Sequence, residues 1–473
     1  MRIRHEIIRG FAASARRGTA TPLPRRSILN GVPDNASYRP QLDHLATVDP
    51  AQWPSIAHVP SGRAMGLRSR RAEAKFAKAC MQAGLDLDPN GQPDLVVDHE
   101  AMFARIAAHG WIGLAEAYMA GEWRTQTPVA LVKVLSGLIE SGYNPRTSSA
   151  KADTRFIGGD VPPELVARYA GDGMSSFAGH FSTGVPTTER RSVKSFSPSA
   201  GKRGEPANYF VSVTNFSEPL STEKLDLADA QRRSVGMLLD AAGVHAGSHI
   251  AELPSSGGAV AIAAAGRQAT VDSLVTDPGT VPGLRERLTL AGVDDSVHIN
   301  VVQSVQQALA RREGRYDAVV SVETLETLPM RLRPTYTAVM DELLTRGGRA
   351  VIQTVVATEK LTPVAASSLE SLRAYVWPAL EYGTKESLRR LVDKHSGLRV
   401  IGETHAPEHL ALSLGHQRTT FQGQLREAAA DGFDAVYRRL WTWQLALREA
   451  LARLGMLDAV QYTLAHKHRR GVR

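Results

Sequence analysis

From about residue 209 the chain alternates short apolar runs with helical patterns, and this alternation limits the fold more than any other feature. His249-Ile250-Ala251-Glu252-Leu253 reads as a strand, followed by a Ser/Gly turn and a small apolar helix, Ala259 to Ala265. Thr270 to Val275 is predicted as the second strand. Pro282 to Ala291 follows as a helix with proline in its first turn. Val297 to Val302 is the third strand and Tyr316 to Val322 the fourth, the most apolar of the set. A helix over Pro334 to Leu344 and a Gly347-Gly348 turn lead into the strand Arg349 to Val355. Leu398 to Glu403, helices over Phe421 to Leu454 and a last strand near Val460 to Leu464 complete the pattern. Such alternation requires a parallel sheet covered on both faces. The expectation is an α/β, Rossmann-like sheet of seven strands over about 209–465, mostly parallel, with the last strand antiparallel. Right-handed crossovers then gather the strand C-termini along one edge, where ligands bind.

The rest of the chain divides by composition. Residues 1–60 are rich in Pro, Arg and Ser without sustained period, and read as a disordered basic tail. Residues 61–150 read as a small helical domain, with apolar spacing over Ala101 to His109 and Pro128 to Ile139. Residues 151–208 read as a linker. Its part Thr187 to Asn208 is basic and has no apolar face, so 183–207 is expected to be mobile. Residues 209–473 form the α/β domain, with a helical insertion over 366–396.

Hydrophobic residues make up 43%, enough for a packed core. No run approaches the roughly 20 apolar residues of a membrane span. The single cysteine, Cys80, excludes internal disulfides and Cys-based zinc clusters, which suits a reducing cytosol. The net charge of +8 concentrates at the ends. Residues 1–30 hold Arg2, Arg4, Arg9, Arg16, Arg17, Arg25 and Arg26 against Glu6 alone, and the chain ends His466-Lys467-His468-Arg469-Arg470-Gly471-Val472-Arg473. These ends suit an anionic lipid surface, or simple solvation. No recognition motif points to nucleic acid. Arg25-Arg26 is followed by the polar run Asn30 to Asn35, which excludes a twin-arginine export signal.

The first strand–turn–helix of a doubly wound sheet usually holds a phosphate or nucleoside. Here the turn reads Glu252-Leu253-Pro254-Ser255-Ser256-Gly257-Gly258. Its two glycines permit close approach of a ligand. It equally reads as a structural turn with Ser255 or Ser256 as N-cap. Asp272 and Asp277 flank the second strand's end, where ribose hydroxyls are commonly held. Glu323 and Glu326 follow the fourth strand, either as chemical groups or as acids at a helix N-terminus.

Three segments resemble the cyclopropane-fatty-acyl-phospholipid synthases and related mycolic-acid methyltransferases. Gly113-Leu114-Ala115-Glu116-Ala117-Tyr118-Met119-Ala120-Gly121-Glu122-Trp123 resembles the family's G-x-x-E-A-Y-x-x-G-x-W. Gly314 to Glu326 is similar to its fourth strand, G-x-Y-D-x-I-V-S-V-E-M-I-E. Tyr375-Val376-Trp377-Pro378, His409 to Phe421, and Phe433-Asp434 with Arg438, Arg439 and Trp441 resemble its C-terminal pieces.

The resemblance implies transfer of the methyl group of S-adenosylmethionine to a cis alkene in the acyl chain of an unsaturated phospholipid. A bicarbonate held by protein groups then removes a proton, leaving a ring, methyl or methylene product. It also implies a site, on which the chain departs from the family at several positions. Only the last glycine of E-x-G-x-G-x-G survives in Glu252 to Gly258. His180-Phe181-Ser182 stands for H-Y-D and Gln303-Ser304-Val305 for Q-D-Y. Around the bicarbonate, Val213 replaces Cys, Leu410 replaces Tyr and Gln353 replaces His, while Glu326 is kept. Each missing hydrogen bond costs about 0.5–1.5 kcal/mol.

Two expectations follow. In the first, an enzyme, His180, Glu252, Ser255, Ser256, Gly257, Gly258, Ser273 and Gln303 converge on the cofactor, Ser255 and Ser256 hydroxyls replace the lost glycine amides, and Glu326 and Gln353 serve catalysis. In the second, a non-catalytic homologue binds lipid or pairs with an active paralogue. Either suits a cytoplasmic protein at the inner membrane face, alone or as a homo- or hetero-oligomer.

Overall fold

A computed structural model describes residues 43–88, 91–145, 161–175, 177, 183–202, 205–220, 227–304, 306–309 and 314–467. Residues 1–42 of the expected tail, His180 and the last six residues lie outside them, whereas 43–60 are folded and not disordered as expected, with a helix Pro54–Ala57 and buried Trp53 and Ile56. The chain forms two compact units, each discontinuous in sequence: 1–157 with 362–378 and 429–450, and 158–361 with 379–428 and 451–473. The helical insertion expected over 366–396 is therefore divided between units.

The first unit is helical, with one two-stranded ladder of β1 (Val96–Val97) and β2 (Trp123–Arg124). The helices Ala101–His109 and Trp111–Ala120 pack so closely that a Cβ on Gly113 would lie 2.0 Å from the Arg105 carbonyl oxygen. Glu116 takes the Tyr375 hydroxyl at 2.6 Å and the His109 ring at 2.7 Å. Buried Arg105 reaches the Glu122 carboxylate at 2.9 Å. Two of the family-like segments, around Glu116 and Tyr375, thus meet in one core.

The second unit is built on a sheet. Its strands are β3 (Pro186–Lys194), β4 (Asn208–Phe216), β5 (His249–Glu252), β6 (Thr270–Val275), β7 (Val297–Val301), β8 (Tyr316–Val322), β9 (Leu344–Ala357), β10 (Leu398–His405) and β11 (Leu457–His466). The order is β3-β4-β10-β11-β9-β8-β5-β6-β7. Strands β9, β8, β5, β6 and β7 are mutually parallel, and β11 runs antiparallel between β9 and β10. These seven strands are the expected doubly wound sheet with its antiparallel member.

The sheet nevertheless has nine strands, because β4 adds parallel to β10 and β3 adds antiparallel to β4. Part of the expected linker is therefore a hairpin. β4 alternates buried Tyr209, Val211 and Val213 with exposed Asn208, Phe210 and Ser212. β3 is exposed on almost every residue, so its sequence carries no alternation. It is held by nine backbone pairings, from Pro186↔Phe216 to Lys194↔Asn208, with Arg190 over the Phe210 ring.

One sheet face packs Val319, Ile352 and Val400 under the helices Arg333–Leu343 and Lys385–His395. The other packs Ile250, Val271, Val320 and Val351 under Leu227–Ala242, Ala259–Ala265 and Val281–Leu290. The C-terminal ends of the parallel strands share one edge, and the loops there carry the candidate site.

Candidate active site

β5 ends in Glu252, whose side chain is fully buried. Its carboxylate accepts the Ser256 backbone N–H at 2.7 Å, the Ser256 hydroxyl, and the Ser273 hydroxyl of β6 at 2.8 Å. Burial pushes its pKa up, and the serine donors oppose that shift. The Ser255 N–H bonds the Leu274 carbonyl at 2.8 Å, which seats the turn on the end of β6. Glu252, Ser256 and Ser273 thus build the turn from inside. The Ser256 hydroxyl points at the turn's own carboxylate, where a ligand-facing role was expected.

The next two residues differ. Gly257 and Gly258 have φ of 79° and 96°, a region that favours glycine. Their amides bond no described residue. The other side of Gly257 is covered: a Cβ there would meet the Met174 carbonyl oxygen at 2.3 Å. This neighbour comes from the stretch expected to be linker. Asp172 folds it into a turn by accepting the N–H groups of Met174 at 3.1 Å and Ser175 at 2.8 Å. Arg287 fastens the turn to the loop, reaching Asp172 and the Gly257 carbonyl, both at 2.7 Å.

The ends of β6 and β7 complete this side of the edge. Asp277 follows β6 and caps its own turn through the Gly279 N–H at 2.8 Å. Gln303 follows β7 and is exposed. Asp272 sits inside β6, in register with Ala251, and takes the Tyr316 hydroxyl at 2.5 Å. It does not flank the strand's end as expected.

At the end of β8 the backbone turns sharply at Glu323, whose φ of 45° is unusual for a residue with a side chain. Glu326 is buried. It takes the Thr354 hydroxyl at 2.6 Å and the Val355 N–H at 3.2 Å, so its carboxyl group continues the ladder of β9 where β8 has stopped. Burial, and then the nearby Glu323 charge, raise its pKa to about 7.

Gln353 is fully buried on the opposite face of β9. Its Oε1 accepts from Ser234 Oγ at 2.7 Å and from Gln461 Nε2 at 2.9 Å. Its Nε2 has no partner among the described residues. Glu326 and Gln353 share the edge of one strand and do not bond each other. Val213 and Leu410, at the positions of the resembling family's Cys and Tyr, are buried apolar residues. Asp172, Arg287, Ser234, Gln461 and Thr354 went unrecognised in the sequence. Asp172-x-x-Ser175 carries a turn signal, but the others are polar residues that only the fold brings to their partners.

Comparison with known proteins identifies the family. The family model described as "Mycolic acid cyclopropane synthetase" matches residues 211–462, more than half of the chain. The tuberculostearic acid methyltransferase UfaA1 of Mycobacterium tuberculosis is 27% identical over 448 residues, covering 89% of this chain and 96% of that protein. The cyclopropane synthase MmaA2 from Mycobacterium tuberculosis aligns with a TM-score of 0.46 and 20% identity, over 51% of this chain and 86% of its own. The mycolic acid cyclopropane synthase CmaA1, complexed with SAH and CTAB, aligns with a TM-score of 0.46 and 15% identity, over 52% and 88%. With its parallel strands, antiparallel β11 and family match in agreement, the chain belongs to the mycolic acid cyclopropane synthetase family of class I S-adenosylmethionine-dependent methyltransferases.

Proposed function

We propose that this protein transfers the methyl group of S-adenosylmethionine to the double bond of an unsaturated fatty-acyl chain. The observation that carries the reading is the turn after β5. Two amides, at Gly257 and Gly258, have no partner among the described residues, in a turn seated on the end of β6. They suit the carboxylate of an amino-acid moiety, and Asp277 and Gln303 lie on the adjacent strand ends that would take the adenosine. S-adenosylmethionine would supply an electrophilic methyl group. Glu252 holds the turn, Arg287 and Asp172 cover it, and Glu326, with a pKa near neutrality, is suited to accept a proton. The Gln353 amide would hold the oxygen of a bicarbonate. The named methyltransferase relative favours a methyl or methylene product on a fatty-acyl chain.

A second reading, a non-catalytic homologue, draws on Met174. Its carbonyl oxygen takes the surface that Gly257 leaves open. Calorimetric titration of S-adenosylmethionine and S-adenosylhomocysteine into the full chain separates the two. Micromolar binding supports the enzyme, and absence of binding at millimolar concentration rejects it. Among the described residues no helix is long and apolar enough to cross a membrane. Contact with an anionic membrane through residues 1–30 is a further part of the proposal. Removing them should weaken salt-sensitive binding to anionic vesicles.

A further inference from the structure

Three buried polar side chains, from three elements far apart in sequence, form a directed chain of hydrogen bonds. It starts at a backbone atom. The Ser234 carbonyl, in the helix Leu227–Ala242, accepts Gln461 Nε2 at 2.8 Å. A carbonyl only accepts, so this bond fixes which end of the Gln461 amide faces the helix. The same nitrogen donates to Gln353 Oε1 at 2.9 Å, and the Ser234 hydroxyl donates to that oxygen at 2.7 Å. Two donors on one oxygen fix the Gln353 amide in turn. What remains is Gln353 Nε2, a donor without a partner among the described residues in a side chain that is fully buried. A buried donor left unmade is destabilising, and a bound acceptor would relieve it.

We infer that Ser234 and Gln461 are positioning residues that hold Gln353 with its N–H donor outward, making its site selective for an anionic oxygen acceptor. Without them the amide is free to turn, and Oε1 would then repel the same anion. The methyl-transfer reading supplies only the identity of that anion, bicarbonate. The polarity of the site follows from the hydrogen bonds. Neither Ser234 nor Gln461 touches the anion. Both act through Gln353.

The test is titration of carbon-13 bicarbonate into the full chain, followed by NMR line broadening without cofactor. Wild type should saturate. Gln461→Glu removes the donor and puts a charge beside Gln353 Oε1, so affinity should fall at least about tenfold. Ser234→Ala, the smaller change, should lower it about threefold. In a Gln353→His background, where a ring N–H replaces the amide, the uncharged Gln461→Met, which lowers affinity in wild type, should change it by less than about twofold. A residue that merely supports the fold would weaken binding in both backgrounds. In turnover assays the bicarbonate KM should rise in Ser234→Ala while the affinity for S-adenosylmethionine holds. Wild-type binding that survives both Gln461→Glu and Ser234→Ala overturns the inference and leaves the functional reading standing. No bicarbonate binding to wild type overturns the anion site itself, and the inference with it. If Gln461→Glu does not fold, Gln461→Met and Ser234→Ala carry the same comparison.

Discussion

Thr354 Oγ1 donates to Glu326 Oε2 at 2.6 Å, which places the Glu326 carboxyl group against β9 on the face opposite the Gln353 amide. The two groups assigned to chemistry from the sequence therefore have separate surroundings. Glu326 lies beside a second carboxylate and has a raised pKa, whereas Gln353 lies in an uncharged network.

Glu326 gives a prediction with a definite sign. Its pKa rises from 4.5 to about 7 on folding, through burial first and Glu323 second. Its contribution to stability is complete below pH 4.5 and is lost as pH rises through 7. Stability of wild type relative to Glu326→Gln should therefore decline across that window, by on the order of 1–3 kcal/mol. Urea unfolding at intervals of pH checks this, and a constant difference would reject it. If Glu326 accepts the proton, turnover should climb through the same window and drop in the variant at unchanged cofactor affinity.

The Gly257 turn gives a comparison of two alanines. Gly257→Ala faces both a φ of 79° and the Met174 carbonyl at 2.3 Å, whereas at Gly292, φ 66°, a Cβ meets nothing within 4 Å. Gly292→Ala should cost about 1 kcal/mol of unfolding free energy, and Gly257→Ala about 2–4 kcal/mol. Equal costs would mean that the stretch around Met174 does not press on the turn.

Much of the sheet was legible because its strands are buried. Tyr316 to Val322 is a mostly apolar run, and its limits and those of Thr270 to Val275 match the strands. The Ala259 to Ala265 helix matches as well. β3 was not legible, since an edge strand exposed on nearly all its residues is held by backbone pairing and leaves no apolar period. The site divides in the same way. Glu252 and Gly257 could be found because the loop after the first strand has a known place in this architecture. Ser234 and Gln461 could not, because they lie 119 and 108 residues from Gln353 and nothing local marks them.

β3 also sets a prediction against the mobility expected for 183–207. Nine paired residues should slow amide exchange at the Pro186–Lys194 groups that bond β4. Hydrogen exchange read by mass spectrometry should show protection there. Exchange as fast as in an unpaired chain would remove β3 from the sheet.

His405 closes β10 in a buried charge cluster. Its Nδ1 lies 2.6 Å from Asp458 Oδ2, its Nε2 lies 3.4 Å from Glu403 Oε2, and Arg389 reaches Glu403 with Nη2 at 3.0 Å. Burial alone would lower the imidazole pKa, but hydrogen bonds from the ring to Asp458 and then Glu403 override it and lift the value to about 9. The ring is therefore charged at neutral pH and neutralises part of the two carboxylates. A raised pKa in a base means stability that is complete below 6.5 and is lost as pH rises through about 9. His405→Gln keeps a side-chain donor but cannot hold the charge. The variant should be the less stable protein at pH 6, by on the order of 2–3 kcal/mol, and the gap should close by pH 10. Denaturant unfolding at both pH values measures the gap. A gap that persists undiminished at pH 10 would show that His405 acts through packing and not through its charge.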